Sequence, residues 1–306
     1  EEGTANMKCQ LIELATIVAT LASMASAFAS TYQKVALVTG SNKGIGKEIA
    51  RKIGKEEGFL CILGCRNEEL GQIACEELKS EGCNVSLVQV DLDDHSTIEQ
   101  ASKIIEEQYG RCDVLINNAA VCFNSPTLYG KVPHTSFAEQ ASITIRTNFF
   151  GTLELTRALL PLMRKSASPR IINIASSAGR LSILPSKDRQ DAFSSETLRL
   201  EELENFMHDF VADAEGGVHS QRGWPNTGYG VSKVGIISMT KILAREEGQS
   251  FMVNSVDPGY CKTDQNDNQG FVPAQRGATT PFLLATLPDD QYFSGMHWYE
   301  EQAVKW

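Results

Sequence analysis

A tyrosine and a lysine lie four positions apart in the segment Tyr229-Gly230-Val231-Ser232-Lys233. In a helix this spacing places both side chains on one face. A phenol has a pKa of ~10, so it exchanges protons poorly at neutral pH unless a neighbouring cation stabilises the phenolate. The Lys233 ammonium can supply that charge, and Tyr229 can then donate a proton to a carbonyl oxygen as a hydride arrives. Taken alone, the spacing also fits an ordinary pair on a helix surface.

Two further polar residues suit the same chemistry. Ser176 follows an apolar run that predicts a strand, and a hydroxyl at this position can hydrogen-bond to a carbonyl oxygen and orient it. Asn148 falls inside a predicted helix, where asparagine is disfavoured because its side chain competes for backbone hydrogen bonds. A lone asparagine in a helix is usually exposed to solvent, so Asn148 is informative only together with the other three residues.

A glycine-rich loop joins the first predicted strand to a helix. Gly40, Gly44 and Gly46 follow the apolar run 34–39. Gly40 suits a sharp turn, Gly44 lets a pyrophosphate approach the backbone, and Gly46 lets the helix pack closely on the sheet. The N-terminus of that helix offers N–H groups and partial positive charge to phosphates. An ordinary strand-to-helix turn is the alternative, since the spacing G-x-x-x-G-x-G differs from the commoner G-x-G-x-x-G.

Charges near this loop distinguish between the two nicotinamide dinucleotides. A site for NAD needs a carboxylate about twenty residues beyond the loop to bind the ribose 2′-OH. Arg66 occupies that position, whereas Glu68 and Glu69 come later, at the start of a predicted helix. Arg66 and Lys43, from the loop itself, form a cationic pair suited to a 2′-phosphate. The pair predicts NADPH/NADP+ as the cofactor, although each residue alone fits an ordinary solvated cation.

Apolar runs alternate with helical patterns along the chain. This predicts an α/β fold, a Rossmann-type doubly wound parallel sheet with helices on both faces. After the strand at 34–39, strands are predicted at Phe59–Gly64, Asn84–Val90, Asp113–Asn117, Arg170–Ala175 and Phe251–Val256. Helices are predicted at Lys47–Glu57, Glu68–Ser80, His95–Tyr109, Ser136–Lys165 and Thr227–Glu247. A helical insert before Tyr229 covers about 186–217 and carries apolar residues at helical spacing.

Composition restricts the class of protein. With 306 residues, of which 42% are hydrophobic, the chain can build one large core. The net charge of −10 argues against nucleic acid as a partner. Eight cysteines scatter without the spacing of metal ligands, so no metal site is predicted. Reduced, mostly buried thiols in a cytoplasmic protein are the preferred interpretation.

Residues 1–33 are predicted to form an N-terminal extension that precedes a single domain at 34–306. Leu14 to Ser30 contains no charge, and Ala27-Phe28-Ala29 resembles a signal-peptide cleavage site. The extension fits a leader or secretory signal, a helix that packs on the domain, or a weak membrane anchor. Membrane contact is expected only if residues 14–30 act as an anchor, and an ER or secretory location only if they act as a signal.

Seven motifs stand in an order typical of one protein family. They are Thr39–Gly46, Asp91, Asn117–Ala120, Asn148 within Thr147–Gly151, Asn173–Gly179, Tyr229–Lys233 and Pro258–Thr263. With them, residues 34–306 resemble the short-chain dehydrogenase/reductase family. His219–Pro225, just before the tyrosine, is similar to the carbonyl reductase branch of that family.

The resemblance implies an NADPH-dependent enzyme that reduces carbonyl compounds to alcohols. It implies that Tyr229 is the proton donor and that Lys233 tunes the pKa of its phenol. Ser176 is then the anchor of the substrate carbonyl. Asn148 is expected to hold a water that links Lys233 to solvent as a proton relay.

The resemblance also implies contacts to the cofactor. Asp91 and Leu92 are expected to contact the adenine, Asn118 the neighbouring ribose and Thr263 the nicotinamide carboxamide. The full expected cofactor-binding set is Gly40, Asn42, Lys43, Gly44, Ile45, Gly46, Arg66, Asp91, Leu92, Asn118, Ala119, Tyr229, Lys233, Pro258, Gly259 and Thr263. Ala120 departs from the family, which usually has glycine there, and adds one methyl group near the cofactor.

The substrate pocket is expected to include Ser177, Ala178, Trp224 and Tyr260. Aromatic walls suit small-molecule carbonyl substrates such as quinones, aryl ketones, dicarbonyls or steroids. The insert is expected to cover the faces through which common family members form tetramers, which implies a monomer. A helix that only caps the domain is the alternative.

Two other functions share this fold. One is a catalytically idle NADP-binding protein that acts as a sensor or regulatory partner, and the other is an alcohol or steroid dehydrogenase. The complete set of serine, tyrosine, lysine and asparagine argues against the idle protein. The predicted preference for NADPH argues against the oxidising enzyme.

Overall fold

Buried aliphatic strands build the centre of the molecule. The computed structural model describes residues 34–125, 128–129 and 135–306, and the predicted extension 1–33 lies outside the described residues. The strands are β1 (Lys34–Thr39), β2 (Phe59–Cys65), β3 (Val85–Gln89), β4 (Val114–Asn117), β5 (Asn124–Ser125), β6 (Leu128–Tyr129), β7 (Arg170–Ile174), β8 (Met252–Asp257), β9 (Cys261–Lys262), β10 (Val272–Pro273), β11 (His297–Tyr299) and β12 (Gln302–Val304). Eight of them form one sheet in the order β12-β11-β8-β7-β4-β1-β2-β3, and β5–β6 and β9–β10 form two short pairs.

The winding of the sheet reverses between β1 and β4. From β1 the chain proceeds outward through β2 to β3, and from β4 it proceeds the other way through β7 to β8. These strands are parallel, as is β11 beside β8, and β12 is antiparallel to β11. In such sheets, ligands bind in the crevice beyond the carboxyl ends of the strands at the point of reversal. The predicted doubly wound α/β fold is confirmed.

Helices cover both faces of the sheet. They are α1 (Gly44–Gly54), α2 (Glu68–Ser80), α3 (His95–Tyr109), α4 (Phe137–Ile145), α5 (Thr152–Met163), α6 (Lys187–Ser194), α7 (Leu200–Glu215), α8 (Gly228–Glu247), α9 (Ala274–Gly277) and α10 (Thr279–Thr286). Alternate residues of β1 enter opposite cores, because successive side chains of a strand point to opposite faces. Val35 and Leu37 join the core under α3, α4, α5, α7 and α8, and Ala36 and Val38 join the core under α1, α2 and α10. No helix of the described residues is long and apolar enough to cross a bilayer.

Two predicted features differ in the structure. The helix predicted at Ser136–Lys165 is interrupted, because a π-helical turn at Arg146–Gly151 separates α4 from α5. The sheet also continues beyond the sixth predicted strand, through β11 and β12. Each of these two strands has three residues, too few for a reliable apolar pattern.

Aromatic side chains hold the insert against the domain. The helices α6 and α7 occupy the range predicted for it, and α7 packs its buried side chains on α4 and α8. Trp224 is 1% exposed and packs against Phe193 and Phe210. Its indole Nε1 donates to Asp213 Oδ2 at 2.9 Å, and the Arg189 guanidinium lies 3.6 Å from the ring centre. This placement corrects the prediction that Trp224 lines the substrate pocket, since the residue is buried in the core and is absent from the lining of the cavity.

Replacement of Trp224 by alanine should destabilise the protein without a direct effect on the pocket. We expect Trp224→Ala to lower the free energy of unfolding by about 3–5 kcal/mol, because it leaves a large cavity in a core. Phe271→Ala is the control, because Phe271 is 83% exposed and its loss should change the free energy by less than about 0.5 kcal/mol. Guanidinium chloride unfolding measures both variants. Equal midpoints for the two variants would contradict the core position of Trp224.

Candidate active site

A cavity of about 460 Å³ opens at the point where the sheet reverses its winding. Its walls come from segments that follow four central strands. Ile45 comes after β1, Asn118 after β4, Ser176 after β7 and Pro258 after β8. The carboxyl ends of parallel strands meet at one edge, so segments distant in sequence are brought together there.

Helix α8 places Tyr229 and Lys233 together at this cavity. The helix begins where the Thr227 hydroxyl accepts a hydrogen bond from Gly230 N at 3.0 Å. Lys233 Nζ lies 5.5 Å from the centre of the Tyr229 ring and donates to Ile174 O at 2.7 Å. Burial lowers the pKa of the Lys233 ammonium to about 8, partly offset by the acidic groups of Cys122 and Asp257. Lys233 is therefore a buried cation at neutral pH.

Ser176 lies at the start of a tight turn that follows β7. The Ser176 hydroxyl accepts a hydrogen bond from Ala178 N at 3.1 Å and so starts the 3₁₀ turn Ser177–Gly179. At Gly179 an added Cβ would lie 2.8 Å from the backbone carbon of Lys233. Only glycine permits this approach, which brings the Ser176 turn against α8. Ser176 and Tyr229 consequently face one cavity.

Asn148 occupies the π-helical turn and is 1% exposed. Its Oδ1 accepts from Val121 N at 2.8 Å, and its Nδ2 donates to Val121 O at 2.9 Å and to Ser232 Oγ at 3.2 Å. The Ser232 hydroxyl in turn donates to Tyr229 O at 2.7 Å. Asn148 thus joins the segment after β4 to the first turn of α8. Single π turns inside helices are frequent at functional sites.

The glycine loop forms a close-packed entry to α1. Gly40 has a φ of +63°, in the left-handed region that favours glycine. An added Cβ at Gly46 would lie 2.5 Å from Gly40 O, so the helix can begin this close to the loop only with glycine there. The residue before the helix, Lys43, makes no side-chain cap, and the first turn contains no acidic residue. The Lys43 side chain therefore does not cap the N-terminal N–H groups of α1. A helix N-terminus whose N–H groups are not capped attracts anions.

Comparison with known proteins identifies the family. The model of the short chain dehydrogenase family matches residues 34–185. Mouse carbonyl reductase [NADPH] 1 is 37% identical over 267 residues, which cover 85% of this chain and 94% of that protein. Human carbonyl reductase [NADPH] 3 is 38% identical over the same shares of the two chains. The chain belongs to the short-chain dehydrogenase/reductase family. The prediction from the motifs is confirmed.

A solved structure of this family has the same fold. Salutaridine reductase from Papaver somniferum superimposes with a TM-score of 0.80 at 29% sequence identity. The superposition covers 87% of this chain and 99% of that one. The architecture from β1 onward is therefore shared with that reductase.

The structure brings half of the predicted site residues to the cavity. Those that line it are Ile45, Asn118, Ser176, Ser177, Ala178, Tyr229, Lys233, Pro258, Gly259, Tyr260 and Thr263. Those that lie outside its lining are Gly40, Asn42, Lys43, Gly44, Gly46, Arg66, Asp91, Leu92, Ala119, Asn148 and Trp224.

The residues outside the lining have distinct positions. Lys43 is exposed and pairs with Asp264 at 3.3 Å, and Arg66 is exposed directly after β2. Asp91 and Leu92 follow β3, the edge strand of the sheet. Leu92 itself is buried against the chain at Gly151. The contacts of these four residues with a cofactor stay predictions.

Several lining residues lie outside the predicted set. They are Ala120, Cys122, Ile174, Ala175, Arg180, Cys261, Gln265, Asn266, Asp267 and Gln269. The last four belong to the segment 264–269, where Asp267 and Asn268 have φ values of 51° and 59°. Asparagine and aspartate tolerate this left-handed conformation best among residues with a side chain. The polar run Asp264-Gln265-Asn266-Asp267-Asn268 could have predicted an irregular turn here. It could not have predicted that this turn lines the cavity.

The buried cation predicts a pH dependence of stability. The pKa of Lys233 is about 8 in the folded protein, against 10.5 for an ordinary lysine. The unfolded chain therefore holds this proton up to a higher pH, and the wild type should gain stability as pH rises from about 8 towards 10.5. The gain over the whole window is about 3 kcal/mol. Lys233→Met lacks it, so unfolding by urea at several pH values should show the two proteins diverging above pH ~8. Parallel curves would contradict a lowered pKa.

Proposed function

We propose that this chain is an NADPH-dependent carbonyl reductase that converts quinones, aryl ketones, dicarbonyls or steroids to alcohols. The observation that carries the proposal is the meeting of Tyr229, the buried cation Lys233 and Ser176 in one cavity. Relatives that share more than a third of their residues with this chain bear the name carbonyl reductase [NADPH]. The reaction needs a proton donor, a charge that adjusts its acidity and a group that orients the carbonyl.

The cofactor fits the glycine loop and the start of α1. The close approach at Gly46 and the acid-free first turn of the helix suit the two phosphates of a dinucleotide. Arg66 and Lys43 would hold the 2′-phosphate, for which arginine is well matched in shape and charge. Asp91 and Leu92 would contact the adenine, and Asn118 and Thr263 the parts nearer the cavity. When bound, NADPH supplies the hydride.

The protein's own residues supply the rest of the reaction. The Ser176 hydroxyl hydrogen-bonds to the substrate carbonyl oxygen and holds it beside Tyr229. The Tyr229 hydroxyl donates its proton to that oxygen, so that hydride and proton together convert the carbonyl to an alcohol. The Lys233 charge stabilises the phenolate that this transfer leaves behind. Lys233 then returns a proton to Tyr229, and a water held near Asn148 replenishes it.

The two other functions considered from the sequence are not favoured. An idle NADP-binding protein has no need for Tyr229, Lys233 and Ser176 in one cavity. An alcohol or steroid dehydrogenase working in the oxidising direction disagrees with the names of the relatives, which are reductases. Reduction is also the direction that a preference for NADPH favours.

Loss of the Tyr229 hydroxyl should abolish turnover and spare the cofactor site. We expect Tyr229→Phe to lower kcat by about 10²-fold to 10⁴-fold, the usual contribution of a positioned proton donor. NADPH consumption with a panel of quinones, aryl ketones, dicarbonyls and steroids measures turnover, and quenching of protein fluorescence measures NADPH binding.

Tyr109→Phe is the control for this experiment. Tyr109, the last residue of α3, donates its hydroxyl hydrogen to Ser86 Oγ on β3. Neither residue lines the cavity. The Tyr109→Phe variant should therefore retain the turnover of the wild type. Full turnover in Tyr229→Phe would refute the proposed mechanism. Tight NADPH binding by the wild type without turnover of any compound would favour the idle sensor.

The insert also supports a monomeric protein. Its helix α7 buries Leu203, Met207 and Phe210 against the chain's own helices α4 and α8, so this apolar face is not left for a partner. We expect sedimentation velocity to give a species of one chain, near the sequence mass of 33.5 kDa. A tetramer would contradict the proposal.

Buried thiols at Cys61, Cys65 and Cys112 suit the reducing cytoplasm, which we propose as the compartment.

A further inference from the structure

Arg180 is an unusual arginine in this protein. Nine arginines pair with carboxylates, namely Arg51, Arg111, Arg146, Arg157, Arg164, Arg170, Arg189, Arg199 and Arg276. Among the described residues, Arg66, Arg180, Arg222 and Arg245 have no carboxylate within ion-pair distance. Of these four, Arg180 alone lines the cavity. A cation without a counterion at the wall of a binding site is available to an anionic ligand.

The same turn carries Arg180 and the predicted carbonyl anchor. Arg180 Nη1 donates to Ser177 O at 3.2 Å, one residue after Ser176. The turn is held from behind, because Trp306 Nε1 donates to Gly179 O at 2.8 Å. The guanidinium has five N–H donors, and this bond uses one of them. Arg180 therefore follows the predicted carbonyl anchor Ser176 by four positions and lines the same cavity.

The charge of the cavity differs in sign from that of the chain. Its charged lining residues are Arg180, Lys233 and Asp267, which sum to +1, whereas the whole chain carries −10. Asp264, which lies between the lining residues Thr263 and Gln265, is paired with Lys43. A positive cleft in an acidic protein attracts anions selectively to that place.

We propose that Arg180 selects carbonyl substrates that also carry a carboxylate, an inference that rests on the proposed reductase function. The planar guanidinium matches a carboxylate with two parallel hydrogen bonds. The Tyr260 ring lines the same cavity and contacts Phe271 edge-on, with ring centres 5.7 Å apart. The preferred substrate thus has an apolar aromatic body, a carbonyl group for Ser176 and Tyr229, and a carboxylate for Arg180.

A pair of substrates that differ in one charge tests the inference. Para-carboxybenzaldehyde carries the carboxylate, and its methyl ester has the same aldehyde and ring without the charge. We expect Arg180→Gln to lower kcat/KM for the carboxylate about tenfold and to leave the ester within about twofold. The magnitude is that of a charge-assisted hydrogen bond reduced for the exposure of Arg180. Added salt should weaken use of the carboxylate by the wild type and leave the ester unchanged.

Two further variants control for general effects of charge. Arg222→Gln removes the same charge from an exposed arginine outside the lining, and it should change neither substrate. Asp267→Asn removes the opposing charge, and asparagine tolerates its φ of 51°, so use of the carboxylate should improve. Opposite effects from Arg180→Gln and Asp267→Asn would support an electrostatic role. An equal loss for both substrates in Arg180→Gln would overturn the inference, because it would show that Arg180 only supports the Ser176 turn.

Binding distinguishes this inference from the function on which it rests. Calorimetry with the NADPH complex gives the affinity of each compound without turnover. If neither these two compounds nor any member of the panel is reduced, but the carboxylate binds more tightly in an Arg180-dependent way, the reductase proposal fails and Arg180 still stands as a carboxylate-binding residue. If the ester is reduced and the carboxylate shows no dependence on Arg180, the inference fails and the reductase proposal stands.

Discussion

The burial of the Lys233 charge is the constraint on which the site depends. An ammonium group removed from water is costly unless hydrogen bonds compensate for its lost solvation. Ile174 O, at the end of β7, accepts from Lys233 Nζ, so α8 must lie directly over the carboxyl end of that strand. Gly179 must then pass close to the Lys233 backbone, which brings the Ser176 turn to the same place. One buried charge thus sets the mutual distances of a strand, a helix and a turn.

A second set of polar side chains holds these elements from behind. Asn117 Nδ2 on β4 donates to Asn173 Oδ1 on β7 at 2.8 Å, and Asn173 Nδ2 donates to Thr240 Oγ1 on α8 at 2.9 Å. Asn148 adds the link between the segment after β4 and Ser232 of α8. Buried amides with defined partners favour one arrangement of the elements that they connect. The predicted catalytic groups therefore stand on elements whose relative positions are set by side-chain hydrogen bonds as well as by the sheet.

The sequence predicted the residues whose role follows from chemistry at fixed spacing. The four-residue separation of Tyr229 and Lys233, the glycines before α1 and the alternation of strands and helices are local signals, and each corresponds to a local structure. Trp224 was assigned to the pocket wrongly because an aromatic residue close in sequence to Tyr229 suits a pocket wall and a core equally until its packing is known. The rim segment 264–269 was missed because its position arises from the path of the chain after β9, which no local pattern contains. The π turn at Asn148 depends on contacts with Val121 and Ser232 that are distant in sequence.

The division between predictable and unpredictable residues follows the division between base and rim. The base of the cavity is made of strand ends and helix faces, and its geometry is constrained by the buried charge and the sheet. The rim residues that the sequence did not predict are Arg180 and the polar turn around Asp267, whose side chains are not part of the hydrophobic core and can differ without disturbing it. In the proposed mechanism, charge at the base is needed for proton transfer to any carbonyl, whereas charge at the rim acts only on the other groups that the substrate carries. If Arg180 acts as proposed, selectivity resides in the rim, where this one guanidinium raises the summed charge of the lining from zero to +1 in a chain of net charge −10.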